Sequence, residues 1–373
     1  MATPVTQLRR VRPTVRLVAL GLLTIGWGLG CEVRRQKAQR EDQPSAAVER
    51  RPANPSALDD DANGATDGAA EGNGGTSSAE PNPRPSFASD SANRQPISIA
   101  SGSMGPALLA PTRLIVLGDY GWAGPREQQV AELVHELRPD YVLTTGDNNY
   151  PEGSAATIDQ NIGQYFSDFI YPYKGQYASA ARENRFFPVL GNHDWYSNNA
   201  AAYLAYFTLP GNERYYDVVL GDVHFFALDS DEHEPDGVSA TSEQARWLQA
   251  RLAASKSAFN LVAMHHPPFS SGPHGDTSYM QWPYAEWGAD VVLAGHDHCY
   301  ERLHIDGIMY IVSGLGGASL YSFAEPTQGS VARYNESYGA TLLEANSDEL
   351  RSSFYNIDGK LIDTITIRRR PRR

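Results

Sequence analysis

The chain has 373 residues, of which 41% are hydrophobic, so it can bury one large core or two modest ones. Its formal net charge of −13 at pH 7 argues against nucleic acid or an anionic membrane surface as a partner of the molecule as a whole. This charge does not exclude anionic substrates, because bound metal ions can dominate the electrostatic field within a site.

Residues 1–30 are predicted to be a signal peptide. Four arginines within residues 9–16 precede an apolar run at 17–30, which is too short to span a bilayer, since a spanning helix needs about 20 residues. Gly30 and Cys31 resemble a bacterial lipoprotein cleavage site, so a lipid anchor on Cys31 is one interpretation, and the paired arginines suggest twin-arginine export as another. We therefore expect an extracytoplasmic protein, secreted or anchored to the cell envelope as a lipoprotein, with membrane contact only through Cys31.

The chain contains two cysteines, Cys31 and Cys299. A lipidated Cys31 excludes an intramolecular disulfide, whereas the alternatives are a bridge between the two cysteines or two free thiols. We interpret Cys299 as a packing residue. The sequence does not indicate an oligomeric state.

Residues 31–109 are predicted to be a disordered, low-complexity linker. They are rich in glycine, alanine, serine, proline, asparagine and aspartate and contain very few large apolar residues. Such a segment cannot bury enough surface to offset the entropy lost on ordering. As a flexible coil it would have an end-to-end distance on the order of 50 Å, which suits a tether between an anchor and a catalytic domain.

Residues 110–373 are predicted to form the catalytic domain. A proline in the first turn and apolar residues on one face predict a helix at Pro125–Leu137. A second helix is predicted over 242–254, with Thr241 and Gln244 as a capping box. Strands that alternate with helices, followed by a strand-rich C-terminal part, favour an α/β sandwich of two packed mixed sheets. Further strands are predicted at 222–228, 307–313, 339–345 and 361–367.

Five short apolar runs are each followed by side chains that commonly bind metals. Each run is β-prone and four or five residues long, as expected of a strand buried on both faces. The runs are at 114–117, 141–145, 186–190, 260–264 and 290–294. Because ligands collect at the carboxyl ends of strands in such sheets, we expect these side chains to converge, although Asp119 and His298 are far apart in sequence. The motifs are GDYG at 118–121, GDNNY at 146–150, GNHD at 191–194, VAMH at 262–265 and GHDH at 295–298.

This order of motifs resembles the purple acid phosphatase branch of the calcineurin-like metallophosphoesterases, in its short, tartrate-resistant acid phosphatase-like form. The resemblance implies a metallophosphoesterase sandwich of two mixed β-sheets flanked by helices. It also implies a hydrolase that cleaves phosphate monoesters at a dinuclear metal centre, with a metal-bound hydroxide attacking phosphorus in line. A phosphodiesterase or nucleotide pyrophosphatase on the same site is the alternative, and a non-catalytic surface protein that keeps the fold for binding is a third interpretation.

The resemblance further implies a set of seven metal ligands. Their mixture of oxygen and imidazole donors suits iron, manganese and zinc, whereas calcium and magnesium prefer shells of oxygen alone. The first metal would be bound by Asp119, Asp147, Tyr150 and His298. The second would be bound by Asp147 as the bridge, Asn192, His265 and His296.

Gly121 and Tyr150 separate this branch from its relatives. The wider superfamily usually carries Asp-x-His in the first motif, and the third position here is Gly121. Tyr150, three residues after Asp147, would supply the missing ligand. Because an anionic phenolate is a hard donor that favours a trivalent ion, the predicted cofactors are Fe³⁺ and a second divalent metal, Fe²⁺, Zn²⁺ or Mn²⁺.

Two further histidines match catalytic positions of the family. His193 follows the predicted ligand Asn192, and His274 lies nine residues after His265. Either histidine could orient the phosphate and protonate the leaving alkoxide, since an unperturbed imidazole has a pKa of about 6.5. Asp194 is predicted to orient His193, and His266 is expected to support the site without binding a metal. Surface or core roles are expected for the histidines outside the motifs, which are His135, His224, His233 and His304.

Overall fold

The computed structural model describes residues 110–370. The predicted signal peptide and linker, including Cys31, lie outside the described residues, as do the last three residues of the predicted catalytic domain. Within the described part of the chain, no helix combines the length and apolar character that a membrane span requires.

The strands of the described residues form two mixed sheets. The first has six strands in the order β13-β12-β11-β1-β2-β3, and the second has seven in the order β10-β8-β9-β7-β6-β5-β4. With the flanking helices, this arrangement confirms the predicted α/β sandwich of two mixed sheets. The strands are β1 Thr112–Leu117, β2 Tyr141–Thr144, β3 Phe186–Phe187, β4 Tyr216–Leu220, β5 Val223–Ala227, β6 Phe259–Ala263, β7 Val291–Ala294, β8 Tyr300–Ile305, β9 Ile308–Ser313, β10 Ser330–Tyr334, β11 Gly339–Ala345, β12 Glu349–Asn356 and β13 Leu361–Arg368.

Parallel pairing at the centre of each sheet brings the motif-bearing loops to the same edge. β1 pairs in parallel with β2, and β2 with β3, while β5, β6, β7 and β9 form a parallel run in the second sheet. Leu117 at the end of β1 is in register with Thr144 at the end of β2. In the second sheet Ala263 is in register with Leu293. Each motif therefore lies at or shortly after the end of a parallel strand, which is where such sheets bind ligands.

Helices cover the sheets or connect the strands. The longest helix in the described part of the chain is α1, which begins with a proline at its first turn and ends where Arg138 adopts a left-handed conformation with φ 48°, directly before Pro139. The helices are α1 Pro125–Leu137, α2 Gln164–Phe166, α3 Asn192–Trp195, α4 Ala201–Tyr206, α5 Glu243–Ala254 and α6 Tyr284–Trp287, with a π-helical turn at Asp159–Gly163 and 3-10 turns at Ser167–Phe169 and Ser278–Met280.

The predicted capping box of the second long helix is wrong by one residue. Helix α5 has Ser242 as its N-cap, and the Ser242 hydroxyl accepts a hydrogen bond from the backbone N–H of Ala245 at 3.1 Å. Alanine at this third helical position cannot complete a capping box. Gln244 turns inward instead, where its side chain accepts a hydrogen bond from the Asp229 N–H at 2.8 Å and donates one to the Asp229 carbonyl at 2.9 Å.

The alternating residues of the central strands divide between two hydrophobic layers. In β6, Leu261 and Ala263 belong to the layer that also contains residues of the first sheet, whereas Val262 packs on the opposite face. This opposite layer is closed by Leu248 of α5 and includes Cys299, which is 1% exposed. The interpretation of Cys299 as a packing residue agrees with this position.

Four strands were absent from the sequence prediction: β4, β8, β10 and β12. Their sequences mix charged and apolar residues, as in ELRSSFYN for β12 and SVARY for β10. Each pairs antiparallel with a neighbour, so one face or edge of the strand is free to carry polar side chains. The run predicted at 186–190 is shorter in the structure, since β3 comprises two residues.

Candidate metal centre

Three of the predicted ligands lie at strained backbone positions, each directly after a glycine. The φ angles are 56° for Asp119, 52° for Asp147 and 69° for His296. Aspartate and histidine adopt this left-handed region more readily than most residues, but each instance still costs on the order of 1–3 kcal/mol. The glycines admit close contacts, because a Cβ atom on Gly295 would lie 2.6 Å from Asp119 Oδ2. The strained turns thus direct the ligand side chains towards one another.

The first predicted ligand group meets at the Tyr150 hydroxyl. Its oxygen lies 2.9 Å from Asp147 Oδ2, 3.2 Å from His298 Nε2 and 3.5 Å from Asp119 Oδ1. His298 Nε2 also lies 3.4 Å from Asp119 Oδ1. All four residues are buried, with at most 3% of their surface exposed. The structure therefore brings these four side chains to one point.

The second predicted ligand group meets at His265 Nε2. This nitrogen lies 2.9 Å from Asn192 Oδ1, 3.2 Å from His296 Nδ1 and 3.4 Å from Asp147 Oδ2. Asp147 Oδ2 is the atom that also approaches the Tyr150 hydroxyl. The two groups are thus contiguous and share one carboxylate, as a bridging ligand requires.

Backbone carbonyls hold two of the histidines in the orientation that a metal ligand needs. His265 Nδ1 lies 2.8 Å from the Thr145 carbonyl oxygen, and His298 Nδ1 lies 2.7 Å from that of Ser319. Because a carbonyl oxygen only accepts, each Nδ1 donates, and in the neutral ring the lone pair is on Nε2. In both rings Nε2 is the atom that faces the other predicted ligands.

Gly121 explains why the first motif has no histidine at this position. A Cβ atom on Gly121 would lie 1.9 Å from the Asn148 carbonyl oxygen, so the position is closed to any side chain. The Tyr150 N–H donates to the Gly121 carbonyl at 2.8 Å, which joins the first two motifs through their backbones. Tyr150 therefore brings an oxygen donor to the first ligand group from the second motif. The mixture of carboxylate, phenol, amide and imidazole donors fits two metal ions of the transition series.

Without metals, the carboxylates of the site favour the protonated forms of Tyr150 and His265. Burial and the nearby Asp147 and Asp119 carboxylates raise the pKa of Tyr150 well above its usual value. Burial alone would lower the pKa of His265, but the same two carboxylates outweigh it and raise this pKa to about 10. A metal ion reverses this balance, because it favours the phenolate and displaces the imidazole proton.

Asp194 does not contact the His193 ring, so its predicted role in orienting that ring is wrong. The Asp194 carboxylate accepts hydrogen bonds from the Gly191 N–H at 2.9 Å and from the Asn148 side-chain amide at 2.7 Å. His193 Nδ1 instead lies 2.6 Å from the Pro151 carbonyl oxygen. Burial, followed by the charge of Asp147, raises the pKa of Asp194 to about 7. Asp194 therefore joins the second and third motifs by hydrogen bonds and holds their loops together.

His193 and His274 lie beside different ligand groups. The His193 ring centroid is 4.4 Å from that of Tyr150, and His193 Nε2 is 4.0 Å from Asp147 Oδ2. The His274 ring centroid is 4.2 Å from that of His296, in the second group. The structure therefore brings both predicted catalytic histidines to the metal centre, one at each group.

Asp297 and Asn148 belong to the motifs but had no role in the sequence interpretation. Asp297 accepts hydrogen bonds from the Ser270 hydroxyl and, at 3.0 Å, from the His274 N–H, so it anchors the loop that carries His274. Asn148 donates to the Val189 carbonyl at 2.7 Å as well as to Asp194. The sequence did show that both are polar residues next to predicted ligands. It could not show their hydrogen-bond partners, which are distant in sequence.

Three of the histidines outside the motifs contact residues that are not predicted ligands. His135 Nε2 contacts the Tyr165 carbonyl at 3.1 Å, and His224 Nε2 contacts the Asp217 carboxylate at 2.7 Å. His233 is largely exposed beside Asp231. His266 differs, because one of its nitrogens lies within 4.8 Å of nitrogens of His265 and His296.

Comparison with known proteins identifies the family. Residues 112–300 match the model of the calcineurin-like phosphoesterase family, which is half of the chain. The chain is 25% identical over 284 residues to "Purple acid phosphatase 17" of Arabidopsis thaliana, covering 66% of this chain and 82% of that protein. It is also 25% identical over 325 residues to "Tartrate-resistant acid phosphatase type 5" of Homo sapiens, covering 74% and 95%.

Solved structures agree with this fold. A purple acid phosphatase from yellow lupin seeds superposes with a TM-score of 0.57 at 20% identity, covering 69% of this chain and 53% of that chain. GAP50, described as the anchor in the inner membrane complex of Plasmodium, superposes with a TM-score of 0.56 at 16% identity, covering 70% and 90%. The motifs, the convergent donors and the family match lead to one conclusion: the chain belongs to the calcineurin-like phosphoesterase family and is a metal-dependent phosphatase.

Proposed function

We propose that this protein hydrolyses phosphate monoesters at a dinuclear centre containing Fe³⁺ and a divalent ion, Fe²⁺, Zn²⁺ or Mn²⁺. The observation that carries the proposal is the position of Asp147 Oδ2, which lies 2.9 Å from the Tyr150 hydroxyl and 3.4 Å from His265 Nε2. One carboxylate thus serves both ligand groups. The names of the related acid phosphatases support the same substrate class.

The first ion would be held by Asp119, Asp147, Tyr150 and His298, and the second by Asp147, Asn192, His265 and His296. When bound, such a pair of ions supplies Lewis-acid stabilisation of the phosphoryl oxygens and lowers the pKa of water. The phenolate of Tyr150 is the donor that favours Fe³⁺ in the first position.

His193 and His274 bind the phosphoryl group and protonate the leaving alkoxide in this proposal. His193 Nδ1 donates to the Pro151 carbonyl at 2.6 Å, which leaves Nε2 on the side of the Asp147 carboxylate. His274 is exposed and is held by its backbone N–H on Asp297. An exposed imidazole on an anchored loop can exchange its proton with solvent between turnovers.

The test combines metal analysis with two substrates. Protein purified without chelators should contain close to two metals per chain, with iron as at least one of them. It should hydrolyse nitrophenyl phosphate faster than bis-nitrophenyl phosphate. Fewer than one iron per chain with full activity would remove the iron assignment, and a preference for the diester would favour the phosphodiesterase or nucleotide pyrophosphatase alternative.

A His274→Ala variant tests the proton donor. We expect both metals to stay bound while turnover falls by roughly 10²–10⁴, the usual range for general acid–base catalysis. The loss should be larger for an alkyl phosphate than for nitrophenyl phosphate, because nitrophenolate leaves without a proton. Equal losses on both substrates would assign His274 to binding instead.

An extracytoplasmic location completes the proposal. It depends on the predicted signal peptide at residues 1–30, and a lipid anchor at Cys31 would decide between an anchored and a secreted protein. Globomycin treatment of cells that express the full chain should cause an unprocessed precursor to accumulate if Cys31 is lipidated. Normal processing in its presence would leave a secreted protein.

A further inference from the structure

His266 is a loop histidine with one ring nitrogen satisfied and one available. Its backbone N–H donates to the Ser230 hydroxyl oxygen at 2.9 Å, and its Nδ1 lies 2.9 Å from the same oxygen. Ser230 is fully buried. Among the described residues, the Ser230 hydroxyl has no third hydrogen-bond partner.

Together with the burial of Ser230, these two contacts favour one tautomer of His266. The Ser230 oxygen accepts from the backbone N–H, so its own proton has one acceptor among the described residues, which is His266 Nδ1. Nδ1 then carries no hydrogen, and the hydrogen of the ring is on Nε2. Ser230 is itself held in place, because its carbonyl oxygen accepts a hydrogen bond from the Tyr279 hydroxyl at 3.2 Å.

The ring of His266 lies at the second ligand group. Its centroid is 4.5 Å from that of His296 and 5.0 Å from that of His265. The centroid of His274 lies 4.2 Å from that of His296, so the ring of His296 contacts both other histidines. His266 is partly exposed, and its Nε2 makes no hydrogen bond to the described residues. A fixed N–H donor is therefore available beside the second ligand group.

We propose that His266 is a substrate-binding residue that donates a hydrogen bond from Nε2 to a phosphoryl oxygen, with Ser230 as the positioning residue that fixes its tautomer. The inference rests on the proposed function and adds a residue to it. A phosphoryl group bound near His265 and His296 presents anionic oxygens, which are strong acceptors for such a donor. His266 contributes no ligand to either ion.

A His266→Phe variant keeps a ring against His296 and removes the donor. In the metal-loaded variant we expect the dissociation constant of inorganic phosphate, measured by calorimetry, to rise about 10-fold or more, as for the loss of a hydrogen bond to a charged group. Metal content should stay the same as in the wild type. Ser230→Ala should weaken phosphate binding in the same direction and by less, because the ring remains while its tautomer is no longer fixed.

His304→Phe is the matched control, since His304 is an exposed histidine on β8. It should leave phosphate affinity and metal content unchanged. Unaltered phosphate affinity in His266→Phe would overturn the proposal, and loss of a metal would assign His266 to the metal shell instead. A wild type that holds two metals but binds no phosphate and hydrolyses no ester would contradict the proposed function itself.

Discussion

The Asp147 carboxylate lies between the two ligand groups because both of its oxygens are held in place. Its Oδ2 approaches the Tyr150 hydroxyl and His265 Nε2, while its Oδ1 accepts from the His193 N–H at 3.0 Å. Gly191 makes this arrangement possible, because a Cβ atom there would lie 2.2 Å from Asp147 Oδ1. The bridge therefore depends on a neighbouring glycine as much as on the carboxylate.

Replacing Tyr150 by phenylalanine tests the iron assignment. A phenolate on Fe³⁺ gives a broad visible charge-transfer band, so the oxidised wild type should be coloured. Tyr150→Phe should lose the band and bind the trivalent ion more weakly, while the ring retains its contacts with Trp122 and His193. Absorption spectra of iron-loaded protein measure this outcome.

Tyr120→Phe is the control for that experiment. Tyr120 is buried, and its hydroxyl donates to Asn148 Oδ1 at 3.0 Å, in the neighbouring loop. This variant also loses one phenol oxygen, but it should keep the band. A colourless iron-loaded wild type, or a coloured Tyr150→Phe protein, would show that Tyr150 is not a ligand.

At the scale of elements, the N-cap of α5 can be tested by paired substitutions. Ser242→Ala removes the acceptor of the Ala245 N–H and should lower the free energy of unfolding by about 1 kcal/mol. Thr241→Ala should change it little, because Thr241 is exposed and does not cap the helix. Urea denaturation measures both variants, and equal losses would contradict the assigned cap.

Helix α1 contains a buried carboxyl group that makes stability depend on pH. Glu127 is fully buried, and neither carboxylate oxygen makes a hydrogen bond of standard geometry to the described residues. Burial raises the pKa of Glu127 well above its usual value, and the nearby Trp122 N–H offsets this only in part. The titratable groups that face it are the Tyr120 and Tyr165 phenols, which are neutral at physiological pH.

The sign of the effect follows from proton uptake on folding. Glu127 is ionised in the unfolded chain above its ordinary pKa, so folding must take up a proton, and stability falls as pH rises towards the folded pKa. Glu127→Gln removes this penalty and should raise the free energy of unfolding at neutral pH. The gain should be at most about 1.4 kcal/mol for each pH unit between the pKa of Glu127 in the unfolded chain and the working pH. Thermal unfolding at pH 4 and pH 7 measures the difference. A gain of the same size at both pH values would indicate a packing effect.

At the scale of the whole molecule, the metals connect loops that leave both sheets. The first group takes residues from the loops after β1, β2 and β7, so bound ions should join the two layers of the sandwich. Removing the metals by chelation should lower the melting temperature, because ligands that bind only the folded state stabilise it. The decrease should be reversed by adding the metals back.

The size of that decrease should depend on pH. In the metal-free protein burial opposes the charged form of His265, but Asp147 outweighs it, so the pKa of His265 is raised to about 10. Because the pKa of His265 is higher in the folded metal-free protein than in the unfolded chain, protonated His265 stabilises the fold. This stabilisation is fully present below about pH 6.5, which is the pKa in the unfolded chain, and is lost as the pH rises through the folded pKa. The difference in melting temperature between loaded and metal-free protein should therefore widen as the pH rises above the ordinary histidine value. A constant difference would contradict the coupling of His265 to Asp147.

The sequence alone predicted the class of fold and the side chains that would converge at one edge of the sheets. Buried strands are apolar runs, and the residues that follow them reach the ligand-binding edge, so the local pattern was sufficient to predict that Asp119, Asp147 and His265 would lie there. Their assignment as metal ligands comes from the family resemblance. Helix α1 was predicted with its bounds because its proline and its apolar face are local signals. Strands such as β10 and β12, with charged and exposed positions, had no such signal.

Only the tertiary structure decided which atoms meet. The contact of Tyr150 with His298, the anchoring of His274 by Asp297 and the fixing of His266 by Ser230 join residues that are distant in sequence. The same holds for Asp194, whose partner is Asn148 and not its neighbour His193. A side chain can be assigned to a site from its strand, but the direction of its hydrogen bonds depends on loops that approach from elsewhere in the fold.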